Sequence, residues 1–426
     1  MSIEQQARSD TRQSGKLFSL DWYRSLSGSD VRAFWGSLLG YALDAFDYQI
    51  FSFILTAIAV VFGLTAAQSG LIATVTLVVS AFGGMLAGVL ADRIGRRDAL
   101  VFTISVYAVF TFLSGLAPNY QFLLLFRSLQ GLGFGGEWAA GAILIAEVAR
   151  PEHRGRILGM VQSSWAVGWG LALLSYSLVF NFVPAAIAWR IVFMLGILPA
   201  ILALYVRFKV KNPEVYEKTG NAARDSLAQI FRRDLLGTTL AATLLAIGAQ
   251  GGYYAIFTWL PTFLKTTRHL SIVGSVPYLS TVIVGSFLGY VVSGYVNDWI
   301  GRKRTFMIFA VCSALLIYLY TQIPVGSNTL LLILGAPLGF FASGIFSGFG
   351  SYLAELFPSR ARGAGQGFTY NFGRGIGAFF PTIIGVLSAS IGLGGAIGFG
   401  ALAYALCLIA LLFLPETKGK AFVAVD

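Results

Sequence analysis

The stretch Ala91-Asp-Arg-Ile-Gly-Arg-Arg97 recurs in the second half of the chain as Asn297-Asp-Trp-Ile-Gly-Arg-Lys-Arg304. Two further features repeat in the same order at an offset of about 208 residues. These are Gly40 with its counterpart Gly248, and a Glu-x6-Arg pair that occurs as Glu147–Arg154 and again as Glu355–Arg362. Three ordered correspondences indicate that the chain contains two copies of one structural unit.

The composition places both copies in a membrane. Of the 426 residues, 56% are hydrophobic and only 12% are charged, and the mean hydropathy is +0.75. A soluble protein of this size cannot bury so much apolar surface, so the bilayer is the expected solvent. Apolar runs of about twenty residues without period-2 alternation favour helices over a closed barrel. We predict an all-α membrane protein with twelve transmembrane helices in two six-helix pseudo-symmetric bundles.

The predicted domain boundaries follow the polar segments. We expect a cytoplasmic N-terminal segment over 1–32, bundles over 33–207 and 236–414, a linker over 208–235 and a cytoplasmic tail over 415–426. Within the linker, Leu227, Ile230, Phe231 and Leu235 share one helical face. This pattern predicts an amphipathic helix on the membrane surface.

The distribution of basic residues predicts the orientation. With a cytoplasmic N-terminus, about 25 of the 30 Lys and Arg residues fall in cytoplasmic segments, so both termini are expected inside. This topology explains the net charge of +11 without nucleic-acid binding. Residues 1–16 lack an apolar core, so no cleavable signal peptide is expected. The predicted location is a bacterial cytoplasmic (inner) membrane.

Other kinds of chemistry find little support in the sequence. Cys312 and Cys407 both lie in predicted spans, and His153 and His269 lie on opposite sides of the membrane, so neither a disulfide nor a metal site is expected. No Gly-x4-Gly-Lys-[Ser/Thr] loop is present, which disfavours ATP-driven transport. The sequence also shows no nucleophile with a base and an orienting group. We therefore expect no enzyme activity and no cofactor other than a proton as coupling ion.

The repeated loops support a family resemblance. Gly88-x3-Asp92-Arg93-x-Gly95-Arg96-Arg97, its copy after the eighth span, and Arg127-Ser-Leu-Gln130-Gly131-x-Gly133-x-Gly135 resemble signatures of the major facilitator superfamily. The first span, with Asp44-Ala-Phe-Asp47, resembles that of the sialate:proton symporter group, which includes sialic-acid and lactate permeases. A paired Asp-x-x-Asp is also typical of aromatic-acid:proton symporters, usually with Gly in place of Ala45. The resemblance implies a transporter with its substrate site between two halves.

The charged residues inside the spans are candidates for function because carboxylates and cations are costly in a bilayer. Asp44 lies twelve residues after Arg32, roughly 18 Å along a helix axis. Arg374 lies twelve residues after Arg362, at a similar depth of roughly 18 Å. The other members of this set are Asp47, Glu137 and, nearer the outer side, Arg127.

Three carboxyl groups facing one arginine in low dielectric repel one another, so at least one is expected to hold a proton. We predict that Asp44, Asp47, Glu137 and Arg127 take part in proton coupling. Arg374 is predicted to bind either an aspartate or a substrate carboxylate. A permanent salt bridge between Arg374 and an aspartate remains an alternative. The repeat counterpart of Arg374 is Ala166, so the arginine belongs to one half only.

Polar and aromatic residues near these charges are predicted to complete a substrate site. The candidates, with Arg374, are Asn371, Tyr370, Gln250, Tyr254, Tyr48 and Gln130. For Gln130 and Arg127, satisfaction of acceptors on the first span is the alternative interpretation.

The repeated loops are predicted to gate the cytoplasmic side. Their basic side chains are placed to reach acidic span ends and to release them on opening. The gating candidates are Asp92, Arg93, Arg96, Glu147, Arg154, Asp298, Arg302, Glu355 and Arg362.

The combined interpretation is a secondary active transporter that couples protons to symport of a small organic-acid anion, such as lactate or sialate, by alternating access. An aromatic-acid:proton symporter and an organic-anion or drug antiporter remain alternatives. A non-transporting membrane sensor is the alternative from another class, although no loop is large enough for an output domain. The expected partners are an organic acid, protons and lipid. Function as a monomer and no nucleic-acid binding are expected.

Overall fold

The computed structural model describes residues 23, 28–94, 96–148, 154–198, 201, 227–358 and 361–418. The helices of the first half are α1 Gly28–Phe62, α2 Ala66–Ile94, α3 Arg96–Gly115, α4 Tyr120–Val148, α5 Arg154–Phe182 and α6 Ala185–Met194. Those of the second half are α7 Arg233–Thr266, α8 Ile272–Ile300, α9 Arg302–Gln322, α10 Asn328–Gly344, α11 Phe349–Leu356, α12 Arg362–Gly377, α13 Phe380–Gly400 and α14 Ala403–Phe413. Short 3-10 segments follow α6 (Leu195–Ile197) and α10 (Ile345–Gly348). These residues contain no β-strand, and the all-α prediction is confirmed.

The helices account for twelve membrane spans. Eight stretches are long and apolar enough to cross a bilayer by themselves, and one of them, Arg362–Phe413, has 52 residues. A continuous helix of that length would measure roughly 78 Å, more than twice a hydrocarbon core. It holds two spans, because the helix is interrupted at Gly392, whose φ of 72° glycine adopts readily. With α3, α4 and α6 the described chain has the twelve predicted spans.

The two halves pack their helices in the same way. In the first bundle (α1–α6), α2 packs on α4, α1 on α5 and α3 on α6. In the second bundle (α7–α14), α8 packs on α10, α7 on α12 and α9 on α14. Each pair in the second bundle is the repeat counterpart of a pair in the first. The predicted pseudo-symmetry of two six-helix bundles is therefore confirmed.

Glycines make the tightest of these contacts possible. A Cβ added at Gly131 would collide with the carbonyl oxygen of Thr76, and one added at Gly339 would collide with that of Val282. The α2–α4 and α8–α10 pairs are thus close-packed at equivalent positions. Lipid gives no hydrophobic driving force for helix association, so such backbone approach supplies the van der Waals contact that holds each pair together.

The first helix of each bundle is longer than predicted. α1 begins at Gly28 and α7 at Arg233, whereas the spans were expected from residues 33 and 236. The helical hydrogen bonds continue into polar residues because the backbone outside the hydrocarbon still gains from internal pairing.

The linker also differs from its prediction where it is described. Leu227–Phe231 forms a five-residue 3-10 helix instead of an amphipathic helix on the membrane surface. Ile230 is fully buried and packs with Leu235, Phe357 and Ala361 of the second bundle. Burial against the protein removes more apolar surface from water than an interfacial position does. Residues 202–226 lie outside the described part of the chain.

Two equivalent contacts join the bundles. α5 packs on α8, and α2 packs on α12 and α13. The two contacts are related by the pseudo-symmetry of the bundles, because α2 is the repeat counterpart of α8 and the α12–α13 span is the repeat counterpart of α5. α1 and α7 also meet in the middle of the boundary.

The boundary is hydrogen-bonded near the end that carries the α1–α2 connection. Thr74 on α2 donates to the carbonyl oxygen of Ala378 at 2.6 Å, and its hydroxyl lies 2.7 Å from that of Thr382. Thr56 on α1 lies 3.2 Å from Thr262 on α7, hydroxyl to hydroxyl. Ala378 lies in the break between α12 and α13. We call this set the threonine clasp.

We predict that Gly135→Ala destabilises the protein. A Cβ there would collide with the carbonyl of Ser80 on α2, so α2 and α4 must separate, at a cost of about 1–3 kcal/mol. Thermal unfolding of the purified protein measures the effect. Gly367→Ala is the matched control, because a Cβ at Gly367 meets nothing within 4 Å. An equal loss of stability in both variants would contradict the close-packing role.

We also predict that Thr74→Val weakens the threonine clasp. Loss of the two contacts removes about 1–2 kcal/mol from the closed arrangement and increases opening at this end about tenfold. Opening is measured as the rate at which a membrane-impermeant maleimide labels a cysteine placed at Ser69, which is 2% exposed next to the Gly70–Pro381 contact, after Cys312 and Cys407 have been replaced. Thr76→Val is the control, since Thr76 donates within its own helix to Ile72. Equal labelling rates in the two variants would rule out a clasp.

Candidate transport site

Arg374 lies on α12 at the boundary between the bundles. Gly373 and Gly377 allow α12 to approach α7, since a Cβ at Gly377 would lie 2.9 Å from the backbone nitrogen of Gly251. This approach directs Arg374 into the protein, where only 5% of its surface is exposed. Its guanidinium carbon lies 5.6 Å from the ring centre of Phe134 on α4 and 5.2 Å from that of Tyr370. A side chain of the second bundle thus contacts an aromatic ring of the first.

The guanidinium of Arg374 retains unused donors. Its Nε and Nη1 atoms are buried without a hydrogen-bond partner. It interacts electrostatically with Tyr254 and Tyr370. Among the described side chains, no salt bridge joins Arg374 to Asp44 or Asp47. The permanent salt bridge considered from the sequence is therefore not seen in this part of the chain.

Four aromatic side chains form a continuous surface next to Arg374. We call Tyr48, Phe134, Trp165 and Tyr254 the aromatic platform. Phe134 and Tyr48 are stacked with their ring centres 5.9 Å apart, and the ring of Tyr48 lies 6.0 Å from both Trp165 and Tyr254. Tyr48 and Phe134 belong to the first bundle and Tyr254 to the second, so the platform crosses the boundary.

Hydrogen bonds fix the platform in place. The hydroxyl of Tyr48 lies 3.3 Å from that of Thr258 on α7. The indole N–H of Trp165 donates to the hydroxyl of Tyr253 at 2.8 Å, which connects α5 to α7. Tyr41, another residue of α1, packs on Trp165 with 5.1 Å between ring centres. The orientation of the rings therefore depends on the arrangement of the two bundles.

Gln250, Tyr370 and Asn371 support the same region. Gln250 Nε2 donates to the backbone oxygen of Tyr370 at 3.0 Å and accepts from the hydroxyl of Tyr254 at 3.2 Å. It therefore ties the platform to the turn of α12 that precedes Arg374. Asn371 Nδ2 donates to Gly367 within α12, while its Oδ1 is buried without a partner. That oxygen faces α2, as it lies 2.7 Å from a Cβ added at Gly84.

Asp47 lies in a separate place, inside the first bundle. It is fully buried, and Gln130 Nε2 donates to its Oδ2 atom. Arg127 is 1% exposed, packs over the ring of Phe51 at 4.9 Å, and interacts electrostatically with Asp47 without a direct salt bridge. Gly196 leaves room for this group, since a Cβ there would lie 3.2 Å from Asp47 Oδ1. Gln130 therefore contacts Asp47 on the first span, as its alternative interpretation expected, and is not in contact with Arg374.

Asp44 is also buried, with 1% of its surface exposed, and interacts electrostatically with Tyr41. Tyr41 in turn interacts with Arg374. Asp44 thus interacts with a residue that also packs on Trp165 of the platform. Glu137 belongs to α4, but its side chain lies outside the described set.

The gating candidates of the second half form a connected network at the α8–α9 connection. Arg302 donates from Nε and Nη2 to the two oxygens of Glu355, at 3.1 and 3.0 Å, and its Nη1 lies 3.0 Å from Asp298. Two parallel bonds fix the relative position of α9 and α11. Arg362 donates from Nε to the carbonyl oxygen of Ala354 at 3.0 Å.

The segment after α14 joins this network. Glu416 accepts from the backbone N–H groups of Arg302 and Lys303, at 2.8 and 3.2 Å, and therefore caps α9. Burial raises the pKa of Glu416, but these donors and those of Thr417 and Lys418 outweigh burial, so its pKa lies below the ordinary value. Thr417 donates to Glu355. Gly301 has a φ of 98° and leaves room for the Glu416 carboxylate.

The first-half gating side chains are not described. Those of Asp92, Arg93, Arg96, Glu147 and Arg154 lie outside the described set, so their predicted pairing stays a prediction.

Sequence reasoning did not select several residues that the fold brings to the site. Phe134, Trp165 and Tyr41 contact the substrate candidates, and Thr74 closes the boundary next to them. An aromatic residue in a chain with 35 Phe carries no distinguishing signal by type. The one available sign is the position of Phe134 between Gly133 and Gly135, which pack on α3 and α2.

Comparison with known proteins places this geometry in a family. The Major Facilitator Superfamily model matches residues 37–292 and 278–425. A probable 4-methylmuconolactone transporter of Cupriavidus pinatubonensis is 42% identical over 403 residues, which cover 94% of each chain. The sialic acid transporter NanX of Escherichia coli is 27% identical and covers 92% of this chain and 95% of its own.

The fold agrees with this relationship. The proton:xylose symporter XylE superimposes with a TM-score of 0.72 at 20% identity, over 93% of this chain and 98% of its own. The resemblance inferred from the repeated loops is confirmed. The protein is a multi-pass membrane transporter of metabolites and not an enzyme. The chain belongs to the major facilitator superfamily.

Proposed function

We propose that this transporter couples proton movement to symport of a small organic-acid anion that carries a planar, unsaturated ring. One observation carries the proposal: Arg374 is a buried cation with two unused donors and without a carboxylate partner among the described side chains. A desolvated cation is costly, and an anion that binds it offsets this cost. A carboxylate with two oxygens matches the donor geometry of a guanidinium.

The aromatic platform supports a ring in the remainder of the substrate. Phe134 lies against the guanidinium of Arg374, and Tyr48, Trp165 and Tyr254 continue the aromatic surface from it. Stacking on such faces favours planar ligands by about 0.5–1.5 kcal/mol per ring pair beyond area burial. A muconolactone combines an unsaturated lactone ring with a carboxylate, and the related transporter of Cupriavidus pinatubonensis is named for such a compound. These features favour a ring acid over lactate, which has no ring, and over sialate, whose ring is saturated and polar.

Proton coupling is assigned to the acids of the first bundle, namely Asp44, Asp47 and Glu137, with Arg127 as the neighbouring cation. Asp47 is fully buried, so a change of its charge must be balanced by Arg127 and Gln130. Asp47 precedes Tyr48 of the platform directly on α1. Protonation therefore influences the substrate through a displacement of α1, rather than through direct competition of Asp47 for Arg374.

Alternating access requires that the two ends of the boundary open in turn. The threonine clasp closes the end with the α1–α2 connection. The Arg302–Glu355 network, and by repeat symmetry the group containing Asp92, Arg93, Arg96, Glu147 and Arg154, closes the opposite end. Ala378, the clasp acceptor, lies four residues after Arg374, so occupancy of Arg374 and closure of the clasp act on the same break between α12 and α13.

The cellular setting follows from the charge distribution. We place the protein in the cytoplasmic membrane of a bacterium, with both termini inside. Its partners are the organic acid, protons and lipid, and it acts as a monomer with a proton as the coupling ion.

We predict that Arg374→Ala lowers affinity for the transported acid about 100-fold or more, since it removes two charge-assisted hydrogen bonds. Arg374→Lys recovers little, because an ammonium lacks the planar fork. The assay is uptake of labelled benzoate, lactate and sialate by proteoliposomes, with and without an imposed pH gradient. Arg268→Lys is the matched control, as Arg268 is a buried arginine over an aromatic ring elsewhere in the second bundle. Near-normal affinity in Arg374→Ala would remove this residue from the site.

We predict that the Asp44→Asn/Asp47→Asn double variant does not accumulate substrate in response to a pH gradient but still exchanges it. Exchange does not require the empty carrier to release its proton and return, whereas accumulation does. Proton flux and exchange are measured side by side in the two single variants and the double variant. Asp234→Asn, at the exposed start of α7, is the control. Proton-driven accumulation in the double variant would contradict the assignment and leave Glu137 to be tested.

A further inference from the structure

Gln49 is a buried amide that the transport mechanism described above does not use. Its side chain is 0% exposed, and neither Oε1 nor Nε2 has a hydrogen-bond partner. Trp169 on α5 is 1% exposed, and its indole N–H is also without a partner. Buried polar groups are almost always paired, and each unpaired one costs about 1–3 kcal/mol.

The contacts between α1 and α5 place these two residues on one surface. A Cβ added at Gly168 would lie 2.9 Å from Ala45, and the rings of Phe53 and Tyr176 are stacked 5.4 Å apart. Gln49 lies one turn after Ala45 and one turn before Phe53, so it lies between these contacts on the face of α1 that packs on α5. Trp169 directly follows Gly168. The Ala45–Gly168 and Phe53–Tyr176 contacts have the same offset of 123 residues, so Gln49 is level with Ala172 and Trp169 lies about one turn earlier along the same contact.

Trp169 also borders the second bundle. Its ring meets Phe257 on α7 edge to face, with ring centres 4.9 Å apart. One turn earlier on both helices, Trp165 donates to Tyr253. The two tryptophans thus make equivalent contacts across the boundary, but only Trp165 finds an acceptor there. At the corresponding position one turn later, α7 carries Phe257, which has no acceptor, and the N–H of Trp169 is therefore unpaired.

A series of aromatic contacts leads from Arg374 toward Gln49 and Trp169. Arg374 contacts Phe134 and Tyr370, Phe134 stacks on Tyr48, and Tyr48 contacts Trp165, the residue one turn before Trp169. The aromatic platform therefore separates a cation from a group with hydrogen-bond donors and an acceptor. A ligand with its carboxylate at Arg374 and its ring against Phe134 and Tyr48 would direct its remote end along this series of contacts, toward Trp169 and Gln49.

We propose that Gln49 and Trp169 form a second polar subsite, which hydrogen-bonds an acceptor group on the ring of the transported acid at the end remote from its carboxylate. The subsite rests on the proposed function, since it presupposes an acid bound at Arg374. Gln49 supplies an N–H donor and Trp169 a second, and both are preorganised by packing between α1, α5 and α7. A site built to hydrogen-bond a ligand rejects analogues that lack the matching group, because its buried donors then remain unpaired.

The test compares acids of the same shape. Benzoate and its pyridine isosteres nicotinate and isonicotinate differ only by exchange of a ring C–H for a nitrogen acceptor. Equilibrium binding of the radiolabelled acids is measured on the purified full-length protein in lipid nanodiscs. The quantity of interest is the discrimination ratio, defined as the Kd of benzoate divided by the Kd of the better pyridine acid.

Gln49→Leu and Trp169→Phe are expected to lower this ratio about tenfold and about threefold, with benzoate affinity changed less than about twofold. Gln322→Leu and Trp189→Phe are the matched controls. Gln322 is exposed at the end of α9, and Trp189 is a buried tryptophan whose N–H is also unpaired but which packs inside the first bundle on Phe62 and Phe193. Both controls are expected to keep the wild-type ratio.

The outcomes separate the two proposals. An unchanged ratio in Gln49→Leu and Trp169→Phe, or an equal loss of affinity for all three acids, would overturn the subsite and assign both residues to packing. Binding of all three acids that is lost in Arg374→Ala would then still support the proposed function. Failure of the wild-type protein to bind any of the acids would overturn the proposed ring acid, and the subsite with it.

Discussion

A buried charge in a bilayer must be compensated, and the two central arginines of this protein meet that constraint in different ways. Arg127 lies near Asp47 inside one bundle, with Phe51 against its guanidinium and Gln130 bound to the same carboxylate. Arg374 lies at the boundary of both bundles among aromatic rings, with two donors unused. Nε and Nη1 of Arg127 are also without a hydrogen-bond partner, so the difference between the two arginines is that Arg127 has a carboxylate of the fold, Asp47, nearby. For the second, Arg374, we propose that a ligand anion supplies the compensating charge.

The separation of these two groups shapes the coupling mechanism. Asp47 and Tyr48 are neighbours on α1, yet their side chains point respectively into the first bundle and across the boundary to Thr258. In the proposed mechanism, α1 therefore responds to the proton on one face and to the substrate on another. On the opposite side of the site, the break after α12 connects Arg374 with the clasp at Thr74. The proposed mechanism thus links proton, substrate and closure through helix positions rather than through one shared ion pair.

The sequence predicted a large part of this arrangement because hydrocarbon imposes simple rules. Twelve spans and two bundles followed from apolar runs and from repeated loops. Arg374 stood out as an uncompensated charge that only one half carries. Tyr370 and Asn371 were selected because they lie within a turn of Arg374, and Gln250 was selected on α7 as the repeat counterpart of the aspartate pair; it reaches the same region through its bond to Tyr370. Packing contacts were harder to predict from the sequence. The linker was expected on the membrane surface, but its residue Ile230 packs on Phe357 of the second bundle.

What the sequence by itself determined is therefore the membrane class, the duplication and the depth of each charge, since these depend on composition and on rise per residue. Only the tertiary structure decided which of the charges meet. Asp44, Asp47 and Arg374 share one depth, but depth leaves the rotation of each helix about its own axis open. That rotation is set by glycine contacts, such as the contact of Gly373 in α12 with α7 and that of Gly168 in α5 with α1. It turns Asp47 toward Gln130 and places Phe134, rather than an aspartate, against Arg374.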